Sequence, residues 1–280
     1  MILVAGGDSF VFGSELNDQI GGASKSTYSA LLAEQNDMEY FCVAWPGNAN
    51  NAISRMVINA CNQYKIQSRE IGVIVTWTFA SRYEFRFNYN TRQKITPWYS
   101  INAWSVLDDP KKIANEFKSK NDNIFNAQID NLKTANTTGV SDFAKVFFKH
   151  VGDSEYYELY SSLKEILFLQ FYLEQNNIPY MFISADNHFY ECENYYRQQD
   201  ENINSLYSQI NWDKWFFFGP GSDFNETKAP RGFYQWAVEN KYPIGTTHPL
   251  EEAHTAAAKL IKEKFNDLVT KPLEQNKIRN

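Results

Sequence analysis

The sequence predicts an α/β protein built on an open, doubly wound parallel sheet of five strands. Short apolar runs recur along the chain, each run is continuous rather than alternating, and helical patterns lie between the runs. Continuous apolar strands are typical of a parallel sheet that is buried on both faces. Because strands and helices alternate, the crossovers should be right-handed and the helices should cover both faces.

The strands and helices can be placed in order along the chain. The predicted strands are Ile2–Ala5, Tyr40–Ala44, Ile71–Thr76, Tyr180–Ser184 and Trp215–Phe218. The predicted helices are Thr27–Glu34, Asn51–Tyr64, Glu155–Gln175 and a last one from Pro249 to about Val269. Apolar residues of the last helix recur at steps of three and four, and two glutamates fill its first turn.

The third and fourth strands are separated by about 100 residues, whereas a crossover between parallel strands needs roughly 30. We interpret residues 1–280 as a single domain with an insertion from about Tyr83 to Asp153. Within it we expect a turn at Pro97-Trp98-Tyr99 and helical pieces near Ile124–Leu132 and Asp142–His150. A long insertion at this edge of a sheet is most often a cap or a substrate-shaping loop.

Composition and charge limit the classes of function. The net charge is −6 and no basic stripe is present, so a nucleic-acid partner is not expected. The three cysteines are widely spaced, and no cluster has metal-ligand spacing, so we expect neither a disulfide framework nor a metal or other cofactor. Neither a signal peptide nor an apolar run of membrane-spanning length is visible, so we expect a cytoplasmic location without membrane association. The oligomeric state is left open.

Ser9 is the first candidate for chemistry, because it follows the first strand through a glycine-rich corner, Gly6-Gly7-Asp8. In a doubly wound sheet the active crevice lies beyond the carboxyl ends of the strands, and Ser9 falls at that edge. A serine there is a candidate nucleophile if a base lies within reach. An ordinary N-cap at a strand-to-helix corner, or a phosphate-binding loop, would explain the same residues.

Two other segments could complete such a site. Trp45-Pro46-Gly47 and Asn50 follow the second strand, where a glycine lets a backbone N–H approach a ligand, although an asparagine-rich turn before a helix explains them equally. His248-Pro249 precedes the last helix and supplies a candidate base. His188, after the fourth strand, is the reserve base, and His254 falls on an apolar helix face that favours packing.

These three blocks together resemble the SGNH (GDSL-like) hydrolase superfamily: Gly7-Asp8-Ser9, Gly47-x-x-Asn50 and His248-Pro249. The resemblance implies a flavodoxin-like three-layer α/β/α fold and esterase, lipase or carbohydrate deacetylase activity. It also implies that Ser9 is the nucleophile, with Asp8 in support, and that His248 is the base. The N–H groups of Ser9 and Gly47 would form part of the oxyanion hole.

The chain departs from the family pattern in two places. The third block of the family supplies an asparagine to the oxyanion hole, whereas the end of the third strand here carries Thr78 and Arg82 as substitute donors. The aspartate that usually stands three residues before the histidine is replaced by Gly245. A dyad could act without a carboxylate, or one could come from elsewhere in the chain. The candidates are Asp186, Asp223 and Glu84.

The leading hypothesis is a serine esterase that acts on a small-molecule or carbohydrate ester or O-acetyl group. The alternative is a catalytically degenerate protein of the same fold, which binds an acylated or carbohydrate ligand without cleaving it. A phosphate or flavin binder is the third hypothesis, and it leaves His248-Pro249 unexplained.

Overall fold

A computed structural model describes residues 1–67, 69–87, 98–106, 139–187, 200–219 and 230–274. The strands in these ranges are β1 (Ile2–Gly6), β2 (Glu39–Cys42), β3 (Ile71–Trp77), β4 (Tyr83–Arg86), β5 (Trp98–Ile101) and β6 (Tyr180–Ser184). Four of them form the main parallel sheet, in the order β2-β1-β3-β6. Strands β4 and β5 form a separate antiparallel pair.

The prediction of a fifth strand at Trp215–Phe218 is wrong. This segment makes one isolated parallel bridge, between Trp215 and Phe182 of β6, with Phe216 N donating to the Phe182 carbonyl at 2.8 Å. It then turns away, and Phe218 bridges to Arg231 instead. The side chains of this run still alternate between the two cores, but it pairs with β6 at a single position because the backbone groups of Phe218 bond Arg231 instead.

Helices lie on both faces of the sheet. They are α1 (Ser9–Phe12), α2 (Tyr28–Gln35), α3 (Asn50–Ile66), α4 (Val140–Phe147), α5 (Glu155–Gln175), α6 (Glu201–Tyr207), α7 (Phe233–Glu239) and α8 (Glu251–Phe265). Short 3₁₀ turns occur at Ala103–Val106 and Trp212–Lys214, and π-helical turns at Phe148–Gly152 and Asn266–Thr270.

The two hydrophobic cores follow directly from the alternation of side chains along each strand. Ile2 and Val4 of β1 face the core shared with α3 and α5. Leu3 and Ala5 of the same strand face the core shared with α2, α7 and α8. Both faces of β1 are thus fully buried, which is why its sequence is continuously apolar.

The described part of the insertion forms a small unit of its own. Tyr83 and Ile101 of the β4–β5 hairpin pack against Val140 and Ala144 of α4. The predicted turn at Trp98-Tyr99 is strand β5 instead, while the predicted helix near Asp142–His150 corresponds to α4 and the π turn that follows. The helical piece expected near Ile124–Leu132 lies outside the described residues.

The sheet places the ends of β1 and β3 side by side at one edge. Gly6 pairs with Val75 in the ladder between these strands, so the residues that follow β1 emerge beside those that follow β3. The sequence elements singled out above, Asp8-Ser9 and Thr78, therefore meet at this edge.

Candidate active site

Ser9 opens the single-turn helix α1 directly after β1. The carboxylate of Asp8 caps this turn by accepting from Phe10 N at 3.0 Å. Asp8, rather than Ser9, is thus the N-cap, so the serine hydroxyl is not consumed by capping. The Ser9 side chain remains available to a neighbouring group.

His248 is presented by a tight hairpin-like tip. Ile244 and Pro249 form an antiparallel bridge, Gly245 N donates to the His248 carbonyl at 2.8 Å, and Leu250 N donates to the Pro243 carbonyl at 3.0 Å. These bonds hold the backbone on both sides of the histidine immediately before helix α8 begins. The imidazole is 14 % exposed and packs against the Phe10 ring at 5.0 Å between ring centres.

The structure brings Ser9 and His248 together across 239 residues of sequence. His248 Nε2 lies 2.8 Å from Ser9 Oγ, within hydrogen-bonding distance. On the other side of the ring, Nδ1 lies 2.8 Å from Oε1 of Glu15. Serine, imidazole and carboxylate are thus connected in series, which is the arrangement of a catalytic triad.

Glu15 occupies the position that sequence reasoning assigned to other carboxylates. Glu84 forms a bidentate ion pair with Arg55 instead. Asp186 is buried two residues beyond the end of β6, and the carboxylate that lies at His248 Nδ1 is that of Glu15. Asp223 and the reserve base His188 lie outside the described residues. No local pattern connects Glu15 to a histidine 233 residues away, and its one distinguishing sign is a backbone φ of +72°, visible only in the fold.

The Glu15 carboxylate is held by four donors from the His248 tip. Thr246 N donates to Oε2, while Oε1 receives Thr247 N at 3.1 Å and Thr247 Oγ1 at 2.9 Å in addition to the imidazole. Burial raises the pKa of Glu15, but the hydrogen bond and charge of His248 and the bonds from Thr246 and Thr247 outweigh it, so the pKa lies below 4.5. The carboxylate is therefore ionised at neutral pH and orients the ring.

Asp8 connects the corner that carries Ser9 to the end of β3. Its Oδ2 accepts from Thr78 Oγ1 at 2.6 Å and from Arg82 Nη1 at 2.8 Å, and Nη1 also donates to Thr78 Oγ1 at 2.9 Å. The only proton of the Thr78 hydroxyl is thus used on Asp8. The Arg82 guanidinium keeps Nε and Nη2 without a partner among the described residues and lies over the Phe79 ring, 4.6 Å from its centre.

Gly47 lies in a turn that the loop sequence explains. Asn48 N donates to the Trp45 carbonyl at 3.1 Å, with Pro46 and Gly47 at the two central positions and a φ of +82° at Gly47. This is the residue pattern of a type II turn, which needs a glycine at its second central position. Trp45 N and Asn48 Nδ2 both donate to the Gly7 carbonyl, so this turn is attached to the corner that carries Ser9.

Two backbone N–H groups, one at Ser9 and one in the Gly47 turn, are not used within the described part of the chain. Among the described residues, neither Ser9 N nor Gly47 N donates a hydrogen bond. Backbone N–H groups that are not engaged within the protein are the elements from which an oxyanion hole is made.

The Asn50 side chain is fully hydrogen-bonded within the protein. Its Oδ1 accepts from Thr78 N at 2.9 Å, and its Nδ2 donates to the Thr78 carbonyl at 3.3 Å and to Ser162 Oγ at 3.0 Å. Because every hydrogen-bonding group of the amide has a protein partner, Asn50 fixes the end of β3 against α5. It has no donor left for a ligand.

The β4–β5 hairpin of the insertion is attached next to the Gly47 turn. Ser100 Oγ accepts from Ala49 N at 3.3 Å, the Asn51 amide bonds both backbone groups of Glu84, and Arg55 stacks on Trp98 while pairing with Glu84. The start of α3, which continues directly from the turn, is thus braced by the insertion.

His254 has the packing environment that its apolar helix face predicts. It is 1 % exposed, stacks on Tyr28 and accepts from Tyr28 N at Nδ1 across 3.2 Å. Burial lowers its pKa to about 3. The ring is therefore neutral at physiological pH and stands in the core behind the site.

Two further properties concern metal binding and membrane insertion over the described ranges. No group of three or more His, Cys, Asp or Glu side chains there is arranged to hold a metal ion. Likewise, none of the helices in those ranges combines the length and apolar character that crossing a bilayer requires.

Comparison with known proteins gives only distant structural likenesses. No protein-family model matches the chain, and no curated protein matches it. One similar solved structure is the psychrotrophic esterase EstA from Pseudoalteromonas sp., inhibited by monoethylphosphonate. The two chains are 12% identical, the match covers 98% of each, and the TM-score is 0.44. A likeness of this degree carries no argument, so inferences about this chain rest on its own residues.

Proposed function

We propose that this protein is a serine hydrolase of the SGNH (GDSL-like) type, which cleaves an ester or O-acetyl group of a small molecule or a carbohydrate. The observation that carries the proposal is the continuous series Ser9 Oγ, His248 Nε2, His248 Nδ1 and Glu15 Oε1, with 2.8 Å at each contact. A protein that only binds its ligand has no need of this alignment.

In the proposed reaction, Ser9 Oγ attacks the acyl carbonyl carbon while His248 Nε2 takes the hydroxyl proton. Glu15 stabilises the imidazolium that forms. The carbonyl oxygen becomes an oxyanion, which accepts hydrogen bonds from Ser9 N and Gly47 N. When the carbon–oxygen bond of the ester breaks, the imidazolium gives its proton to the leaving alcohol. Water then attacks the acyl-serine by the same route and releases the acid.

We assign the third oxyanion donor to Arg82. Thr78 already donates its single proton to Asp8, and Asn50 has spent its amide on Thr78 and Ser162. Among the described residues no partner takes Nε or Nη2 of Arg82, its side chain is 18 % exposed, and Asp8 anchors it next to Ser9. The ion pair keeps the guanidinium in place, and the remaining charge-assisted donors would stabilise the oxyanion.

We also propose that the insertion shapes the substrate side of the site, within a single domain. The contacts of Ser100, Asn51 and Arg55 support this, because they connect the hairpin to the helix that continues from the Gly47 turn. Trp45, 61 % exposed beside the same turn, adds an aromatic surface on which an acyl chain or a sugar ring can pack.

The decisive experiment combines a fluorophosphonate probe with p-nitrophenyl acetate hydrolysis. Wild-type protein should be labelled on the peptide that contains Ser9, and Ser9→Ala should abolish both labelling and hydrolysis. Ser14→Ala, in the loop that follows α1, is the matched control and should retain both. If folded wild-type protein shows neither labelling nor hydrolysis, the hydrolase proposal fails and ligand binding without cleavage becomes the better account.

A further inference from the structure

Gly245 stands three residues before His248, and nothing in its backbone requires a glycine. Its φ lies outside the left-handed region, unlike that of Gly47. Its N–H is bonded to the His248 carbonyl, which any residue except proline would allow. The reason for a glycine must therefore be space.

The space is occupied by Glu15. A Cβ built on Gly245 would collide with Oε2 of Glu15, and would lie 3.2 Å from Glu15 Cδ and 3.3 Å from Leu250 Cδ2. The collision is with the carboxylate that holds the imidazole. A side chain at position 245 and the present position of the Glu15 carboxylate exclude each other.

The Glu15 carboxylate cannot move away from Gly245 without losing hydrogen bonds. Its carboxylate receives bonds from Thr246 N, Thr247 N, Thr247 Oγ1 and His248 Nδ1, and its side chain is only 7 % exposed. Its backbone already stands at a φ of +72°, a conformation that costs a non-glycine residue energy and is accepted where the surroundings impose it. With this left-handed backbone at residue 15, the carboxylate lies against the residues that precede and include His248.

We propose that positions 15 and 245 are mutually exclusive sources of the carboxylate that orients His248, and that an aspartate at 245 takes over this role when residue 15 is glycine. Glycine at 15 relieves the backbone strain and vacates the space. Aspartate at 245 then extends its carboxylate from a Cβ that lies against the present position of the Glu15 carboxylate. The activity part of this inference rests on the proposed function, while the packing part does not.

A thermal unfolding cycle tests the packing. Gly245→Ala should lower the Tm of the wild type by about 2 °C or more, which for a chain of this size corresponds to a loss of roughly 1 kcal/mol. In the Glu15→Gly background the same substitution should shift the Tm by less than half as much. Gly22→Ala, where the added Cβ meets nothing within 4 Å, is the control and should leave the Tm unchanged. Equal shifts for Gly245→Ala in both backgrounds would overturn the proposal.

A rescue experiment tests the exchange of the carboxylate. Glu15→Gly should reduce kcat/KM for p-nitrophenyl acetate by about 100-fold or more. Adding Gly245→Asp should raise kcat/KM at least tenfold above that of Glu15→Gly. Adding Gly245→Asn, whose side chain has the same shape without the charge, should not raise it. If the aspartate variant is no more active than the asparagine variant, the exchange is refuted.

A crystal structure of the Glu15→Gly/Gly245→Asp variant gives a readout that needs no turnover. The carboxylate introduced at position 245 should lie within hydrogen-bonding distance of His248 Nδ1, and a carboxylate directed elsewhere would contradict the exchange. An inactive wild type that passes the melting and structural tests would remove the proposed function alone. An active wild type that fails them would remove this inference alone.

Discussion

Arg82 Nη1 lies 2.8 Å from Oδ2 of Asp8, the fully buried residue that precedes Ser9. A buried carboxylate needs such partners, because an unpaired charge away from water is costly. The pair connects the end of β3 to the nucleophile corner and holds a guanidinium beside it. It therefore stabilises the corner, and in the proposed function it also keeps the guanidinium in place as an oxyanion donor.

Substitutions of the two side-chain partners of Asp8, Thr78 and Arg82, should differ in their effects on catalysis. Arg82→Gln should lower kcat for p-nitrophenyl acetate by about 100-fold, the typical loss for one oxyanion donor. Thr78→Val removes a bond to Asp8 but no free donor, so it should change kcat by only a few fold while lowering the free energy of unfolding by about 1–3 kcal/mol. Steady-state kinetics and urea unfolding of both variants provide the comparison. An unchanged kcat in Arg82→Gln would contradict the assignment of the donor.

Glu15→Gln should reduce kcat by about 100-fold to 10,000-fold, because an amide neither stabilises the imidazolium nor enforces the productive tautomer. The matched control is Glu251→Gln. The Glu251 carboxylate accepts from Asn17 N at 2.7 Å and so links the same two segments of chain without contacting His248. Equal kinetic losses in both variants would mean that loop attachment, not orientation of the ring, is responsible.

His254 should make the protein sensitive to acid. Its pKa is about 3 in the folded state, against 6.5 for an unperturbed histidine, so below pH 6.5 the unfolded chain binds a proton that the folded protein refuses. The contribution of the neutral His254 ring to the free energy of unfolding is fully present above pH 6.5. It is lost as the pH falls towards 3, by up to roughly 1.4 kcal/mol for each pH unit.

The measurement is urea unfolding of wild type and His254→Asn at pH 7 and pH 5. Asparagine keeps an acceptor for Tyr28 N but does not titrate, so its free energy of unfolding should fall less between the two pH values than that of the wild type. Parallel losses in the two proteins would show that His254 is not the source.

Asn50→Ala should destabilise the fold by about 1–3 kcal/mol, because it leaves the buried backbone N–H and carbonyl of Thr78 without their partner. Thermal unfolding measures the effect. Asn51→Ala, which removes the neighbouring contact to Glu84 of the hairpin, serves for comparison. If Asn50→Ala lowers activity but leaves the Tm unchanged, Asn50 serves the ligand rather than the framework.

Much of the fold could be predicted from local pattern. The strands β1, β3 and β6 and the helix Glu155–Gln175 lie where continuous apolar runs and helical periodicity place them, within one residue at each end. The strand at Trp215–Phe218 was over-predicted, since an apolar run records burial but not whether its backbone groups find a neighbouring strand.

The candidate site divides in the same way. Ser9 and His248 were identifiable because each follows a recognisable boundary, a strand end and a helix start, and the topology of a parallel sheet brings such boundaries to one edge. Glu15 was not identifiable, because its contact with His248 depends on a left-handed backbone at residue 15 and on the lack of a side chain at Gly245. The hydrogen bonds of Thr78 to Asp8 and of Asn50 to Thr78 and Ser162 could not be predicted either, because they too form between distant parts of the chain. A residue type and its spacing indicate which chemical group is available, but only the folded chain decides which atoms meet. Hydrogen bonds and excluded volume act over a few ångströms, and here they act between residues more than 200 positions apart in the sequence.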